Sequence, residues 1–351
     1  IIAYSASMVK RLLATLAKAI QMMIHCTWGV HFGASMPLAW KAIHAAFQQH
    51  DSSRTILLYN QDLVGFFNSI PQEDILNSLH ALVVEHTQQH GPILMVAPPG
   101  HLTSGHSAYS RQSCRANFIR MQTSDIVALV RWSFQSNLFT VLNGVHRQVR
   151  GTSMGNQVSP ILCELAVLIS TERAWRAAYQ QWWTSLRVTA TCVRYVDNRL
   201  ILLDQELGNC IAAKQLTTLH FYKPPVTLET EAGNDFLGFH INPHLLTIRY
   251  NLHQEPWRYR LPTSAGTTRL NLAGYWSRLH QIQTYAFPQS VVLQQSEDLR
   301  HLYRRLGFQD NDLKNMPGCF SSLPLSSFPF SSPSSSFPFL SSSPAPPHPP
   351  P

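Results

Sequence analysis

Apolar residues in SMVKRLLATLAKAIQMMI (7–24) recur at helical spacing: Val9, Leu12, Leu13, Leu16, Ile20 and Met23 form one stripe, with Lys10, Arg11 and Lys18 off it. That pattern predicts a surface helix with a solvated face. GVHFGASMPLAWKAIHAAF (29–47) predicts a glycine-bearing turn and a second helix, and RTILLYNQDLVGFF (54–67) a strand running into Asp62. Residues 86–113 are rich in Gly, Pro and His with little period, and read as a loop or an insertion. SPILCELAVLISTERAWRAAYQQWW (159–183) predicts a helix, with Ser159 as N-cap and Pro160 at the first helical position. In TATCVRYVDNRLILL (189–203) two runs rich in β-formers flank a polar step, which predicts a hairpin with Asp197 near its tip. NDFLGFHI (234–241) follows as an apolar, strand-like run.

Composition narrows the class. Hydrophobic residues make up 44% of the 351-residue chain and charged residues only 13%, so most of it is expected to be globular. The net charge of +8 favours an anionic partner. The six cysteines include no CxxC pair, which fits a reducing, intracellular setting better than a zinc ribbon or a disulfide framework. No signal peptide or long apolar run points to a membrane, and the initial Ile makes a fragment of a longer protein the expectation. Residues 249–305 carry eight arginines against three acids, interleaved with Tyr250, Trp257, Tyr259, Tyr275, Trp276 and Tyr285. The Ser/Pro/Phe tail should be disordered, because proline blocks pairing and little apolar variety remains to build a core. His86 and His90 stand four apart, the spacing of a helical metal pair, with no third ligand fixed by any pattern.

Three segments together suggest chemistry. YNQDLVGFFNSIP (59–71) puts an acid at a strand end before paired aromatics, RGTSMGNQVSP (150–160) is a glycine-punctuated loop opening a helix, and YVDN ends a hairpin strand. Each alone has a plain reading: an Asp after an apolar strand is usually a turn former, and such a glycine loop is usually simple turn chemistry. If the strands are neighbours in one sheet, however, Asp62 and Asp197 lie side by side. They then offer hard oxygen ligands suited to Mg²⁺. Two ions roughly 3.5–4 Å apart serve phosphoryl transfer in such sites. The glycines would permit close backbone approach to a ligand.

On these residues the chain, over about 29–310, resembles a reverse transcriptase of the group II intron, retron and non-LTR retroelement type. Asp62 matches the metal-binding Asp of the first palm motif, and Phe67 stands at the place of the aromatic sugar gate. RGTSMGNQVSP is similar to the family's RGTPQGGxLSP, YVDN to its YxDD box through Tyr195 and Asp197, and FLGF (236–239) to its primer-grip strand. GVHFGASMPLAWKAI is similar to the segment before the first palm motif. Three departures stand out: Met154 replaces a Gln that contacts nucleotide, Asn198 replaces the second Asp of the box, and Lys223 is the nearest match to a later lysine.

The resemblance implies an α+β right-hand polymerase: partial fingers over 1–58, a palm with an antiparallel sheet over 59–248, interrupted by an inserted segment at about 86–145, a short helical thumb over 249–310, and a disordered tail over 311–351. It implies an RNA-directed DNA polymerase, a nucleotidyltransferase acting on an RNA template, a DNA primer and deoxynucleoside triphosphates. Asp62 and Asp197 would hold two Mg²⁺ (or Mn²⁺) ions with Asn198 beside them. Phe67, Gly151, Met154, Gly155 and Ser159 would shape the nucleotide pocket, and Arg258, Arg260, Arg269 and Arg278 would track the duplex backbone. The alternatives are an RNA-dependent RNA polymerase and a degenerate domain that only binds nucleic acid.

Overall fold

The computed structural model describes residues 9–314, apart from 30–31, 52, 98–117, 143, 154, 168–170, 186–189 and 254. The tail beyond 314, most of the predicted 86–113 loop and Met154 therefore lie outside the described residues.

In chain order the elements are α1 (Lys10–Trp28), α2 (Met36–Gln49), β1 (Ile56–Val64), α3 (Gln72–His90), β2 (Ile93–Val96), β3 (Ile119–Gln122), α4 (Thr123–Gln135), β4 (Leu138–Val141) and β5 (Gly144–Arg147). There follow α5 (Ser159–Val167), α6 (Arg173–Ala178), α7 (Gln180–Ser185), β6 (Ala190–Tyr195), β7 (Asn198–Asp204), α8 (Ile211–Thr217) and β8 (Thr227–Thr230). The C-terminal part holds β9 (Asp235–Phe236), β10 (Phe239–Asn242), β11 (Thr247–Tyr250), α9 (Thr268–Tyr285), α10 (Gln289–Arg305) and α11 (Asp310–Lys314). Helices and antiparallel sheets are mixed along the chain. None of the described helices is long and apolar enough to cross a membrane.

A four-stranded antiparallel sheet, ordered β6-β7-β1-β8, is the frame of the molecule. Side chains alternate across a strand, so a sheet covered on both sides reads as a nearly continuous apolar run. RLILL in β7 does this: Ile201 and Leu203 enter a core with α1, α3, α4, α5 and α8, while Leu200 and Leu202 enter another with α2 and β9–β11. Trp40 of α2 anchors the second core, its ring 4.8 Å from Phe239 and 5.9 Å from Phe236. A third core joins α9, α10 and Tyr259.

Several elements differ from the sequence pattern. Leu12, placed on the buried stripe of α1, is 40% exposed, whereas Thr15, Ala19, Met22 and Ile24 are buried. The helix is enclosed by α3, α4, α5 and β2 rather than lying on the surface, so its apolar face is wider than one stripe. The 86–113 loop starts later than expected, because α3 continues to His90 and Ile93–Val96 pairs with Ile119–Gln122. The helix predicted over 159–183 comprises three shorter ones, α5, α6 and α7. NDFLGFHI is a hairpin and not one strand: Leu237 (φ 50°) and Gly238 (φ 82°) both adopt positive φ, turning Phe236 back onto Phe239.

Candidate active site

Residues Ala190–Tyr195 and Asn198–Asp204 form the predicted hairpin, joined by Val196 and Asp197. The register of β7 against β1 sets Asn198 directly opposite Asp62, and the Leu63 N–H donates to the Asp197 carbonyl at 3.0 Å. The sheet thus brings Asp62 and Asp197 together, with Asp62 in the last register pair of β1 with β7 while β1 continues against β8 to Val64. Asn198 Nδ2 donates to Asp197 Oδ1 at 3.1 Å, which orients that carboxylate. Burial raises the pKa of Asp62, and the charges of Asp197, Glu231 and Glu229 raise it further. Glu229 is the register partner of Asp62 on β8. Sequence reading missed both glutamates, because acids in TLETE look like the solvated side of a strand.

Among the described residues, no group of three or more His, Cys, Asp or Glu is arranged to hold a metal. Mg²⁺ does not require such a cage, since it keeps several waters and binds through one or two carboxylates plus substrate phosphates. A carboxylate raised first by burial and then by like charges, with no cationic side chain among the causes and a second carboxylate beside it, fits a divalent ion.

The glycine loop is docked on the segment after β1. Gly151 N–H donates to Ile70 O at 3.0 Å, and Thr152 N–H to the Phe67 carbonyl at 2.7 Å. A Cβ on Gly151, whose φ is 69°, would stand 2.2 Å from Phe67 O and 2.7 Å from Asn68 Cα. The close approach expected toward a ligand is therefore made to the chain's own backbone. This contact fixes Phe67, which packs edge-on to Phe66 at 5.3 Å. Gly155 is exposed with φ 92°, and Ser159 is 1% exposed at the first residue of α5. Ser159 is thus inside the helix and not its predicted N-cap, and in the turn before it Asn156 Oδ1 accepts from the Val158 N–H at 3.1 Å. Cys163 on α5 is an inert thiol, pushed up to about 12 by burial.

The basic C-terminal region divides. Arg258, Arg260 and Arg269 are exposed. Arg258 lies 4.7 Å over the Trp257 ring and 3.4 Å from Glu255. Arg278 is half-buried against the third core, donating to Gly274 O at 3.0 Å and stacking 4.7 Å over Tyr259. Lys223 is exposed beside a cleft of about 290 Å³ that Tyr222 and Asp74 also line.

His86 and His90 do share a helix face, with rings 4.9 Å apart, but their nitrogens face protein partners. His86 Nδ1 lies 2.9 Å from Thr27 Oγ1, and His90 Nε2 lies 3.3 Å from Cys26 O. Burial, then the neighbouring His90, lowers the His86 pKa to about 4. Unfolding lets the ring titrate near 6.5, so its contribution is present above that pH and declines as pH falls toward 4. His86→Gln is expected to flatten this part of the acid limb, measured as melting temperature between pH 7.5 and 4.5.

No family model matches the sequence, and no curated protein matches it. Solved structures do share the fold. A telomerase from Candida albicans, solved with a TWJ fragment of telomeric RNA, superposes with a TM-score of 0.55 at 15% identity, over 85% of this chain and 48% of that one. A telomerase from Candida tropicalis, also with a TWJ fragment of telomeric RNA, gives 0.50 at 12% identity, over 85% and 46%. The chain thus spans about half the length of the telomerases it matches. At such identities the likeness is one of fold: over most of its length the chain folds as these telomerases do.

Proposed function

We propose that this chain is the palm, with partial fingers and thumb, of an RNA-directed DNA polymerase that extends a primer with deoxynucleotides. One observation carries the reading: strand register brings Asp62 and Asp197 together at the tip of the sheet, close enough for the charge of Asp197 to act on Asp62. The polymerase fold is the setting in which such a pair has catalytic meaning. Asp62 and Asp197 would hold Mg²⁺, which when bound activates the primer hydroxyl and stabilises the leaving phosphate oxygen. Asn198 keeps one oxygen and removes one negative charge, so it orients Asp197 at the expense of cation affinity. Phe67, pinned through its carbonyl by Thr152, would exclude a ribose 2′-hydroxyl by bulk.

Primer extension on RNA and DNA templates, with deoxy- and ribonucleotides, tests the reading. Deoxynucleotide addition on RNA is expected. Ribonucleotide addition would indicate an RNA polymerase. Template binding without extension would indicate a degenerate domain, the reading that the Asn198–Asp197 hydrogen bond favours.

Arg258, Arg260 and Arg269 would face the duplex, whereas the internal bonds of Arg278 fit it to a structural role. Removing one arginine–phosphate interaction reduces the slope of log affinity against log salt by roughly 0.9 on B-DNA. Arg258→Gln with Arg269→Gln is therefore expected to weaken primer–template binding about equally across sequences and to shrink the slope by about one to two units. The measurement is a salt titration of affinity on the folded double variant. An unchanged slope would move the nucleic acid off this face.

A further inference from the structure

Arg194 is 0% exposed in β6, three residues before Asp197, and its guanidinium is fully engaged. Nε donates to Glu172 Oε1 at 2.8 Å, Nη2 lies 3.5 Å from Glu172 Oε2 and from Glu164 Oε1, and Nη1 donates to the Val196 carbonyl at 3.0 Å. Glu172 is also 0% exposed and accepts from the Tyr222 hydroxyl at 2.7 Å. The main chain of Arg194 is held too, its N–H donating to Phe32 O at 2.7 Å and its carbonyl accepting from Ala34 N–H at 2.9 Å.

Val196 explains why such a clamp is there. Its φ is 58°, and Asp197 does not share the positive φ, so this two-residue turn is of the kind whose first position favours glycine. A β-branched residue in that conformation is strained and persists only where its surroundings over-determine it. Two bonds do so: Arg194 on the Val196 carbonyl and Leu63 N–H on the Asp197 carbonyl.

We infer that Arg194, locked by Glu172, is a positioning residue that holds the Val196–Asp197 turn in its strained form and so aims the Asp197 carboxylate at the site shared with Asp62. This rests on the polymerase reading for what the site binds. Because Tyr222 precedes Lys223, the same hydrogen-bonded chain ties the turn to the loop that carries this lysine.

The test uses Mn²⁺ affinity by electron paramagnetic resonance on the nucleotide-free protein, with kcat and KM for primer extension and melting temperature alongside. Arg194→Lys keeps a charge against Glu172 but loses the fork that reaches Val196. It is expected to weaken Mn²⁺ binding about tenfold and to lower kcat with KM for nucleotide little changed. Adding Val196→Gly, which makes the turn conformation easy, is expected to restore most of the affinity. If Arg194→Lys fails to fold, Arg194→Met with Glu172→Gln removes both buried charges and carries the same expectations. A folded variant with wild-type Mn²⁺ affinity and kcat would overturn the inference, as would a melting temperature that falls while both stay unchanged. Wild-type protein that binds no Mn²⁺ and extends no primer would instead sink the polymerase reading.

Discussion

Asp62→Ala and Asp197→Ala are each expected to reduce primer extension by about a thousandfold or more while leaving primer–template affinity nearly unchanged. The double variant should be no worse than either single one, because groups that act as a unit cannot be lost twice. Asp62→Asn adds a reading that does not depend on activity. Burial, followed by the charges of Asp197, Glu231 and Glu229, raises the Asp62 pKa, so the folded state holds this proton more tightly than the unfolded chain. The favourable contribution of the protonated group is full below the unfolded pKa and is lost as pH rises through the folded one. At neutral pH without divalent cation, the ionised group therefore weakens the fold. Asp62→Asn should melt above wild type there, and added Mg²⁺ should raise the melting temperature of wild type more than that of the variant. Full activity in either alanine variant would remove these residues from the site.

The hairpin that carries Asp197 was legible because two β-rich runs meet at a polar step, and local chemistry decides that. Its register against β1 was not legible, since which residue faces Asn198 depends on a strand more than a hundred positions away. The turn inside NDFLGFHI was hidden for a related reason. A leucine at φ 50° looks like strand, and only the packing of Phe236 and Phe239 on Trp40 holds it there. Buried charge was the largest omission. Arg194 and Arg199 flank the box, where nothing in the local sequence marks a charge as buried, and both are 0% exposed. Glu172 compensates the first. The second donates to Leu216 O at 2.5 Å and stacks 4.3 Å over Phe221, partners that no local pattern announces. Gly151 is the opposite case: the need for glycine was visible, while the backbone it approaches was not.

That glycine yields the other large effect. Gly151→Ala is expected to destabilise the fold by about 3 kcal/mol. About 1–2 kcal/mol comes from a Cβ at positive φ, and a further 1–3 kcal/mol from overpacking against atoms that cannot rotate away. The obstructing atoms are backbone, Phe67 O at 2.2 Å and Asn68 Cα at 2.7 Å, so relief requires one segment to leave the other. Parting them also lengthens the Thr152–Phe67 bond, now 2.7 Å, and frees Phe67 to shift relative to Asp62. Gly233→Ala is the control: its φ is 90°, but nothing lies within 4 Å of the added carbon, so it carries the backbone strain without the collision. At roughly 2–4 °C per kcal/mol, the Gly151 variant should melt about 6–12 °C below wild type, and the Gly233 variant about half as far below. Extension by the folded Gly151 variant should fall as well, with discrimination against ribonucleotides relaxed, whereas the control keeps both. Equal melting shifts in the two variants would mean that the loop yields without cost, and the docking of 150–152 on 67–70 would then not be what places Phe67.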